Sequence, residues 1–232
     1  METEIIYKTS KKELRKKVQK VKVISFDLDG TITKVNSIWK FIHDQLGVTE
    51  MANKYKELFF KGEITYDRWA LLDSSLWKGH KYSEIKKMAN EKIELMDDVE
   101  IVVKTLKDWG YVPIVISAGL DIINERLRDV GFEIIFSNKL KVVNDTIIGG
   151  LTESVAFDNK DEILERFVEK LNIELLNCAA VGDGFNDVKL FKKVSIGVAV
   201  NPTSEELEDI ADIVIKGDTL KPLLDVFRRD YM

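Results

Sequence analysis

VISFDLDGTIT, residues 23–33, begins as an apolar run and ends on two acidic residues. Its first four residues, 23–26, are typical of a parallel strand that is covered on both faces. Asp27 and Asp29 follow at the carboxyl end of this strand, where Gly30 permits a sharp turn. Open α/β sheets bind ligands outside the carboxyl ends of their strands. The placement of the two aspartates therefore predicts a functional site.

The aspartate pair has a second interpretation. Two like charges so close together cost free energy unless a cation or a proton compensates them, which favours a site. Aspartates also cap turns and helices at strand ends, which requires no function at all. A short motif such as DLDG leaves both interpretations open, so the rest of the chain has to decide between them.

Composition excludes several classes of protein. The 232 residues are 45% hydrophobic, enough for one sizeable core and a smaller second one. The net charge of −5 disfavours general binding to polyanions, so no nucleic-acid partner is expected. Cys178 is the single cysteine and excludes an internal disulfide, and His43 and His80 are too scattered for a histidine metal site. Because membrane-span and signal-peptide patterns are missing, we expect a cytoplasmic protein without a membrane partner.

The chain divides into three parts by its hydrophobic pattern. Residues 1–20 are strongly basic and predict a lead-in helix packed through Leu14 and Val18; a nucleic-acid or membrane-surface arm is the alternative. Residues 34–95 read as helices in succession, without strand patterns. Strands and helices then alternate from residue 96, with a hairpin predicted at residues 144–145.

This pattern predicts the fold class. Alternating apolar strands and helices specify an α/β fold with a doubly wound parallel, Rossmann-like sheet. The first strand belongs to that sheet, so a small helical bundle is inserted between the first and second strands. We therefore predict an α/β core over residues 21–33 and 96–232, interrupted by a helical domain over residues 34–95.

Four short loops are expected to meet at one edge of this sheet. Their sequences are DLDGT at 27–31, SAG at 117–119, NK at 159–160 and GDGFND at 182–187. Together they supply four carboxylates, a serine and a lysine: Asp27, Asp29, Asp183, Asp187, Ser117 and Lys160. Such a set suits the transfer of a phosphoryl dianion to a carboxylate nucleophile. A hard cation such as Mg²⁺ would reduce the charge repulsion, and the lysine and serine would hold the remaining phosphoryl oxygens.

With these motifs in this order, the sequence resembles the haloacid dehalogenase superfamily of phosphatases. It is most similar to the phosphoserine phosphatase-like branch, which has a helical cap inserted after the first motif, and the resemblance spans residues 21–227. The resemblance implies that Asp27 is the nucleophile and that Asp29 is the general acid and then the general base. Mg²⁺ would be bound by the carboxylates of Asp27 and Asp183 and by the backbone carbonyl of Asp29.

The resemblance also implies a phosphate-binding set. The phosphoryl group or the substrate would be bound by Ser117, Ala118, Lys160 and Asn186. Thr31 would lie behind the residues that contact the ligands, and Asp187 would support the water shell of the metal. Each residue alone has a simpler explanation, since Ser117 and Lys160 could merely begin helices. Likewise, Asp183 and Asp187 could cap a helix that begins near Phe185. It is the joint occurrence of the four loops that favours the site.

The resemblance fails in the predicted cap. Phosphoserine phosphatases carry a glutamate for the amino group of serine and an arginine for its carboxylate. Here Asn36 stands at the glutamate position and Asp73 near the arginine position, although Arg68 could swing in instead. An amide does not replace an anion that faces an ammonium, and an aspartate repels a carboxylate. We expect specificity to follow Asn36, Trp39, Tyr66, Arg68 and Asp73, and phosphoserine to be a weaker substrate than neutral or hydroxyl-rich phosphates.

The sequence thus predicts a Mg²⁺-dependent phosphatase of a small phosphorylated metabolite, acting through an aspartyl-phosphate as a monomer or homodimer. A phosphotransferase or mutase that uses the same intermediate is one alternative. Another is a non-catalytic phospho-aspartate binding module. Asp29 argues against the module, because an acid–base partner shortens the life of the acyl phosphate that such a switch needs.

Overall fold

The computed structural model describes residues 3–229 and places eight strands from that range in one sheet. The order across the sheet is β1-β8-β7-β6-β2-β3-β4-β5. The strands are β1 Glu4–Tyr7, β2 Val23–Phe26, β3 Val112–Leu120, β4 Ile134–Val143, β5 Thr146–Glu153, β6 Cys178–Gly182, β7 Ile196–Val200 and β8 Ile213–Lys216. The pairs β1/β8 and β4/β5 are antiparallel and the other neighbours are parallel. The predicted α/β fold with a mostly parallel sheet is confirmed.

The helices follow the strands along the chain. They are α1 Lys11–Val18, α2 Ile38–Leu46, α3 Thr49–Phe60, α4 Tyr66–Ser75, α5 Tyr82–Lys92, α6 Val99–Asp108, α7 Asn124–Asp129, α8 Lys160–Glu169, α9 Val188–Phe191, α10 Glu205–Ile210 and α11 Pro222–Phe227. None of the helices in the described part of the chain combines the length and hydropathy that a membrane crossing needs.

Two hydrophobic cores lie on the two faces of the sheet. In β2, Ile24 and Phe26 pack into one core together with α1, α6 and α11. Val23 points the other way, into a core that includes α8, α9 and α10. Successive side chains of a strand point to opposite faces, so a strand buried on both faces is mostly apolar, and Ser25 is the one small polar residue of β2. This explains the nearly continuous apolar run up to Asp27.

The position of β2 determines where the aspartates lie. β2 is central in the sheet and pairs in parallel with β3 on one side and β6 on the other. The carboxyl ends of these three strands carry the motifs that begin at Asp27, Ser117 and Asp183. Three segments that are far apart in sequence thus meet at one edge of the sheet.

Four helices, α2–α5, occupy the segment between β2 and α6, all of which the structure describes. Ser37 accepts a hydrogen bond from the Lys40 N–H at the start of α2, and Gly47 ends the helix with φ of 68°. Thr33 and Leu95 form an isolated antiparallel bridge, so the segment leaves and rejoins the sheet at one place.

The first residues of the chain differ from the sequence-based prediction. Glu4–Tyr7 form strand β1, which adds to β8 at the edge of the sheet, and only then does helix α1 begin. The prediction missed this strand because it has only four residues and is flanked by charge. Leu14 and Val18 are buried as predicted. Residues 1–2 of the predicted lead-in segment and residues 230–232 of the predicted core lie outside the described residues.

The predicted hairpin is confirmed. It joins β4 to β5 through Asn144 and Asp145, whose φ angles of 47° and 63° lie in the left-handed region. The Asp145 carboxylate accepts hydrogen bonds from the backbone N–H and the hydroxyl of Ser83. Helix α5 is therefore anchored to the tip of this hairpin.

Candidate active site

The carboxyl ends of β2, β3 and β6 open into a cavity of about 510 Å³. Asp27, Ser117 and Asp183 form part of its floor, and residues from α2, α3 and α4 form the opposite wall. A cavity with several convergent charged groups is the expected form of a small-molecule site.

Asp27 is paired with a buried lysine. Lys160, the first residue of α8, places its Nζ 2.7 Å from Asp27 Oδ1 and 2.7 Å from Asp187 Oδ1, and only 1% of its side chain is exposed. Burial alone would lower the pKa of Lys160, but the carboxylates of Asp187 and Asp27 raise it above its ordinary value. The lysine is therefore a permanent positive charge beside Asp27.

Asp29 is held apart from this pair. Its Oδ2 accepts a hydrogen bond of 2.9 Å from the backbone N–H of Ile38, the first residue of α2. Burial raises the pKa of the Asp29 carboxyl to about 7, and the negative charge of Asp27 adds to the rise. A carboxyl group that titrates near neutral pH is suited to give and take a proton.

Asp183 approaches the turn after β2 very closely. Gly30 has φ of +77°, and a Cβ there would lie 2.7 Å from Asp183 Oδ2. Only glycine satisfies both the left-handed backbone and the contact. The carboxylate of Asp183 is thereby brought against the loop that carries Asp27 and Asp29.

The acidic side chains form a compact cluster suited to a divalent cation. Carboxylate oxygens of Asp27, Asp183 and Asp187 lie within 4.8 Å of one another, and all three residues are buried. Burial and the nearby Asp27 carboxylate raise the pKa values of both Asp183 and Asp187. With Asp29, the site contains four carboxyl groups and one ammonium group, that of Lys160. The excess negative charge and the all-oxygen donors fit a hard cation such as Mg²⁺.

The SAG segment lies inside β3, although the sequence suggested a loop. The pairing of β3 with β4 shifts register between Ile116 and Leu120, which bends the strand at Ser117 and Ala118. Ser117 Oγ accepts a 2.9 Å hydrogen bond from the Gly119 N–H. The irregular pairing explains how these residues reach the cavity without leaving the sheet.

The other predicted site residues of the α/β core differ in whether they line the cavity. Asn186 lines the cavity from the turn after β6. Asp187 Oδ2 also accepts a 3.3 Å hydrogen bond from the Gly184 N–H, so the capping role considered for it is present beside its contact with Lys160. Thr31 is buried in the turn after β2 and does not line the cavity.

Four of the five predicted specificity residues line the cavity, namely Asn36, Trp39, Tyr66 and Asp73. Arg68 does not: it is exposed to solvent and lies outside the cavity lining, so its suggested contact with the substrate has no support in this structure. Helix α4 begins at Tyr66, and two residues further along an α-helix the side chain has rotated by about 200°. A helix that points Tyr66 into the cavity therefore points Arg68 away from it.

His43 is a cavity residue that sequence reasoning missed. It lies on α2 with its Nε2 3.3 Å from Asp73 Oδ2, and its Nδ1 accepts a 3.1 Å hydrogen bond from Trp77 Nε1. The sequence alone suggests no role for His43 except that of a metal ligand, which the scatter of the two histidines disfavours. No sequence signal connects it with Asp73, because the two residues belong to different helices.

Asn138 on β4 is a second residue that was missed. It is fully buried, and its Nδ2 donates to the Ala118 carbonyl at 2.7 Å and to Tyr66 Oη at 2.8 Å. Its Oδ1 accepts a 2.7 Å hydrogen bond from the Val155 N–H. The Ala118 carbonyl also accepts from Trp39 Nε1 at 3.0 Å. Asn138 thus fixes the Ala118 peptide and links it to helix α4.

Asn138→Leu keeps the branched shape of the side chain but loses its hydrogen bonds to the Ala118 and Val155 peptides. Because Ala118 is a predicted phosphate-binding residue and a small shift of such a group is costly, we expect this variant to lower kcat/KM for phosphomonoesters by about 10- to 100-fold. Asn138→Asp should be similarly impaired, because it keeps the acceptor for Val155 but removes both donated hydrogen bonds. Steady-state kinetics, with thermal melts to confirm folding, measure the effect. Near-normal kcat/KM in both folded variants would contradict a positioning role.

The site can be compared with known proteins. A family model described as haloacid dehalogenase-like hydrolase matches residues 21–194, a range that contains all four loops. The phosphoserine phosphatase of Methanocaldococcus jannaschii is 31% identical over 208 residues, covering 89% of this chain and 97% of that protein. That of Archaeoglobus fulgidus is 28% identical, covering 89% of this chain and 60% of the relative.

Solved structures are similar over nearly the whole chain. A substrate-bound phosphoserine phosphatase complex has a TM-score of 0.76 and 30% identity, covering 90% of this chain and 99% of that one. A phospho-aspartyl intermediate analogue of phosphoserine phosphatase has the same TM-score, identity and coverage. The likeness therefore includes the inserted helices as well as the sheet.

Proposed function

This chain belongs to the haloacid dehalogenase-like hydrolases, and from that membership we propose that it is a Mg²⁺-dependent phosphatase of a small phosphomonoester. The observation that carries the proposal is the contact of Asp27 with Lys160 at the end of β2, with Asp29 held separately by helix α2. This arrangement separates a nucleophile from an acid–base group within one loop. The solved relative with a phospho-aspartyl intermediate analogue supports the same chemistry.

In the first step, a carboxylate oxygen of Asp27 attacks phosphorus and the bond to the leaving oxygen breaks. Asp29 gives its proton to that oxygen, so the alcohol leaves neutral and Asp29 becomes a carboxylate. Lys160 faces the nucleophile and balances part of the negative charge that the phosphoryl group brings. Ser117, the Ala118 N–H and Asn186 would bind the remaining phosphoryl oxygens.

In the second step, Asp29 removes a proton from water, and the water oxygen attacks phosphorus of the aspartyl-phosphate. The bond between phosphorus and the Asp27 oxygen breaks, which releases phosphate and restores both aspartates to their starting states. Mg²⁺, held by Asp27, Asp183 and the Asp29 backbone carbonyl, would offset the negative charge that develops on the phosphoryl oxygens. Asp187 would hold Lys160 and support the metal's water ligands.

We further propose that residues 34–95, helices α2–α5, act as a cap on a core formed by residues 21–33 and 96–232. Trp39 Nε1 donates to the Ala118 carbonyl, so helix α2 touches the phosphate-binding strand directly. Tyr66 Oη accepts from Asn138 in the same way on α4. A cap seated on these contacts excludes water and surrounds the leaving group.

A screen for phosphate release from a panel of phosphorylated metabolites, with Mg²⁺ present, tests the proposed function. We expect hydrolysis of several small phosphomonoesters by the wild type and none by Asp27→Asn. Transfer of the phosphoryl group to added alcohols, without hydrolysis, would instead indicate a phosphotransferase. Folded wild-type protein that processes no compound of the panel would contradict the proposal.

Within this panel, we expect kcat/KM for phosphoserine to be at least about tenfold below that of the best substrate. Asp73 lines the cavity and would repel a carboxylate of the leaving group, while Arg68 is exposed and does not line the cavity. Lys40 also lines the cavity, but it is exposed and its Nζ lies 2.5 Å from Asp44 Oδ2. If phosphoserine proved the best substrate, this interpretation of the cap would be wrong.

A further inference from the structure

Asp73 is a buried carboxylate in the cavity wall that the proposed mechanism does not use. It lies on α4, lines the cavity, and is 4% exposed. Within residues 3–229, its Oδ1 accepts no hydrogen bond of good geometry, and the side chains of His43 and Trp69 are the donors beside the carboxyl group. Burial raises the pKa of the Asp73 carboxyl, and its ionised form is costly unless a cation or further hydrogen bonds compensate it.

His43 is a neighbour of Asp73 and compensates its charge only in part. An indole N–H only donates, so the Trp77 bond to His43 Nδ1 requires a lone pair on that nitrogen. His43 Nε2 lies 3.3 Å from Asp73 Oδ2 and is the ring nitrogen that can present a proton to the carboxylate. His43 lowers the pKa of the Asp73 carboxyl, but burial has the larger effect and leaves that pKa above its ordinary value.

Among the described residues, no lysine or arginine forms an ion pair with Asp73. In the part of the chain that the structure describes, no lysine or arginine nitrogen lies within 4.0 Å of the Asp73 carboxylate. Lys40 and Lys56 line the same cavity, but both are exposed. Lys40 pairs with Asp44, and Lys56 lies over the Phe60 ring, 5.9 Å from its centroid.

The walls around Asp73 are aromatic. Trp39, Tyr66 and Trp69 line the cavity, and Trp39 packs against Trp77 with ring centroids 5.0 Å apart. The faces of aromatic rings attract cations, most strongly when water is excluded. A carboxylate among such rings favours an ammonium group over a neutral hydroxyl and disfavours a second carboxylate.

We propose that Asp73 binds a positively charged amine in the leaving group, so that the preferred substrates are amino-alcohol phosphates that lack a carboxylate. The inference rests on the proposed phosphatase function and names the substrate class for that same cavity. It also revises the expectation of neutral or hydroxyl-rich substrates, which treated Asp73 only as a group that repels a carboxylate. Phosphoserine phosphatases use a glutamate at the position of Asn36 to bind the amino group. In this chain Asp73 of helix α4 would supply that negative charge instead.

Three substrates distinguish the effect of an amine in the leaving group from the effect of a carboxylate. Phosphoserine and 2-aminoethyl phosphate differ only by the carboxylate, whereas 2-aminoethyl and 2-hydroxyethyl phosphate differ in the group that would meet Asp73. We expect the wild type to prefer the aminoethyl compound over the hydroxyethyl compound by about tenfold or more in kcat/KM. The three- and four-carbon aminoalkyl phosphates, each with its hydroxyl counterpart, determine the reach from the phosphate site to Asp73.

Asp73→Asn removes the charge but keeps an acceptor for His43. In this variant the ratio of kcat/KM for 2-aminoethyl phosphate to kcat/KM for 2-hydroxyethyl phosphate should fall towards one. Asp67→Asn is the matched control, because Asp67 is exposed in the first turn of the same helix, and it should retain the wild-type ratio. A merely structural Asp73 would change both substrates equally and leave the ratio intact, which would overturn the proposal.

The comparison of aminoalkyl with hydroxyalkyl phosphates in the wild-type enzyme tests the proposal even if Asp73→Asn does not fold. In that case Asp73→Ser serves as a second variant without the charge. Hydrolysis of the hydroxyalkyl phosphates without preference for an amine of any length would overturn this inference and leave the phosphatase proposal standing. Failure to hydrolyse these compounds and every compound of the metabolite panel would overturn the phosphatase proposal itself. The two failures are therefore distinguishable.

Discussion

Asp27→Asn is expected to lower kcat for phosphomonoester hydrolysis by at least about three orders of magnitude. The amide has almost the same volume as the carboxylate, but its oxygen is a poor nucleophile and carries no charge. The fold should persist, because the substitution also removes one of the crowded negative charges near Asp183 and Asp187. We therefore expect a melting temperature equal to or above that of the wild type when no metal is added.

Phosphate release under saturating substrate and a thermal melt measure these two expectations. Asp108→Asn is the matched control, since Asp108 is exposed at the end of α6, away from the cavity. That variant should retain wild-type turnover. An Asp27→Asn protein that kept more than a few per cent of wild-type turnover would refute nucleophilic catalysis by this carboxylate.

Removal of divalent metal is expected to abolish activity, and addition of Mg²⁺ to restore it. The physical reason is the excess of four carboxyl groups, Asp27, Asp29, Asp183 and Asp187, over the single ammonium of Lys160. Calcium should support activity poorly, because it favours longer bonds and higher coordination numbers than Mg²⁺. Full activity in the presence of EDTA would contradict a metal-dependent mechanism.

Binding can be followed without any substrate. Mg²⁺ at about a hundredfold excess over its Kd should stabilise the fold by about 2.7 kcal/mol, or about 5–10 °C in melting temperature. In Asp183→Asn, which removes a charged ligand next to Gly30, the Mg²⁺-induced shift should largely disappear. Equal shifts in the two proteins would show that the ion binds elsewhere.

Much of the fold and of the catalytic floor was predictable because both depend on local patterns. The apolar run before Asp27 determines a strand buried on both faces, and parallel strands necessarily bring their carboxyl ends to one edge. Asp27, Asp29, Ser117 and Asp183 each follow such a run, so the sequence indicates their meeting without any knowledge of side-chain contacts. The hairpin at Asn144 was predictable for a similar reason, since its residues tolerate left-handed backbone.

The remainder depends on packing between elements, which periodicity does not encode. Asn138 acts through contacts with Ala118, Tyr66 and Val155, which lie in three different segments. The neighbourhood of His43 and Asp73 depends on how α2 packs beside α4. Strand β1 forms because the edge of β8 is available to pair with it; its isoleucines and tyrosine favour a strand, but four residues are too few to give a clear pattern in the sequence.

The most direct test of the central claim is to trap the phosphorylated enzyme. Asp29→Asn should still be phosphorylated by p-nitrophenyl phosphate, whose leaving group needs no proton, but it lacks the base that activates water for the second step. After acid quench, mass spectrometry of the peptides should find one added phosphoryl group, located on Asp27. A phosphoryl group on another residue, or hydrolysis by this variant with no phosphorylated peptide at any time point, would contradict the account.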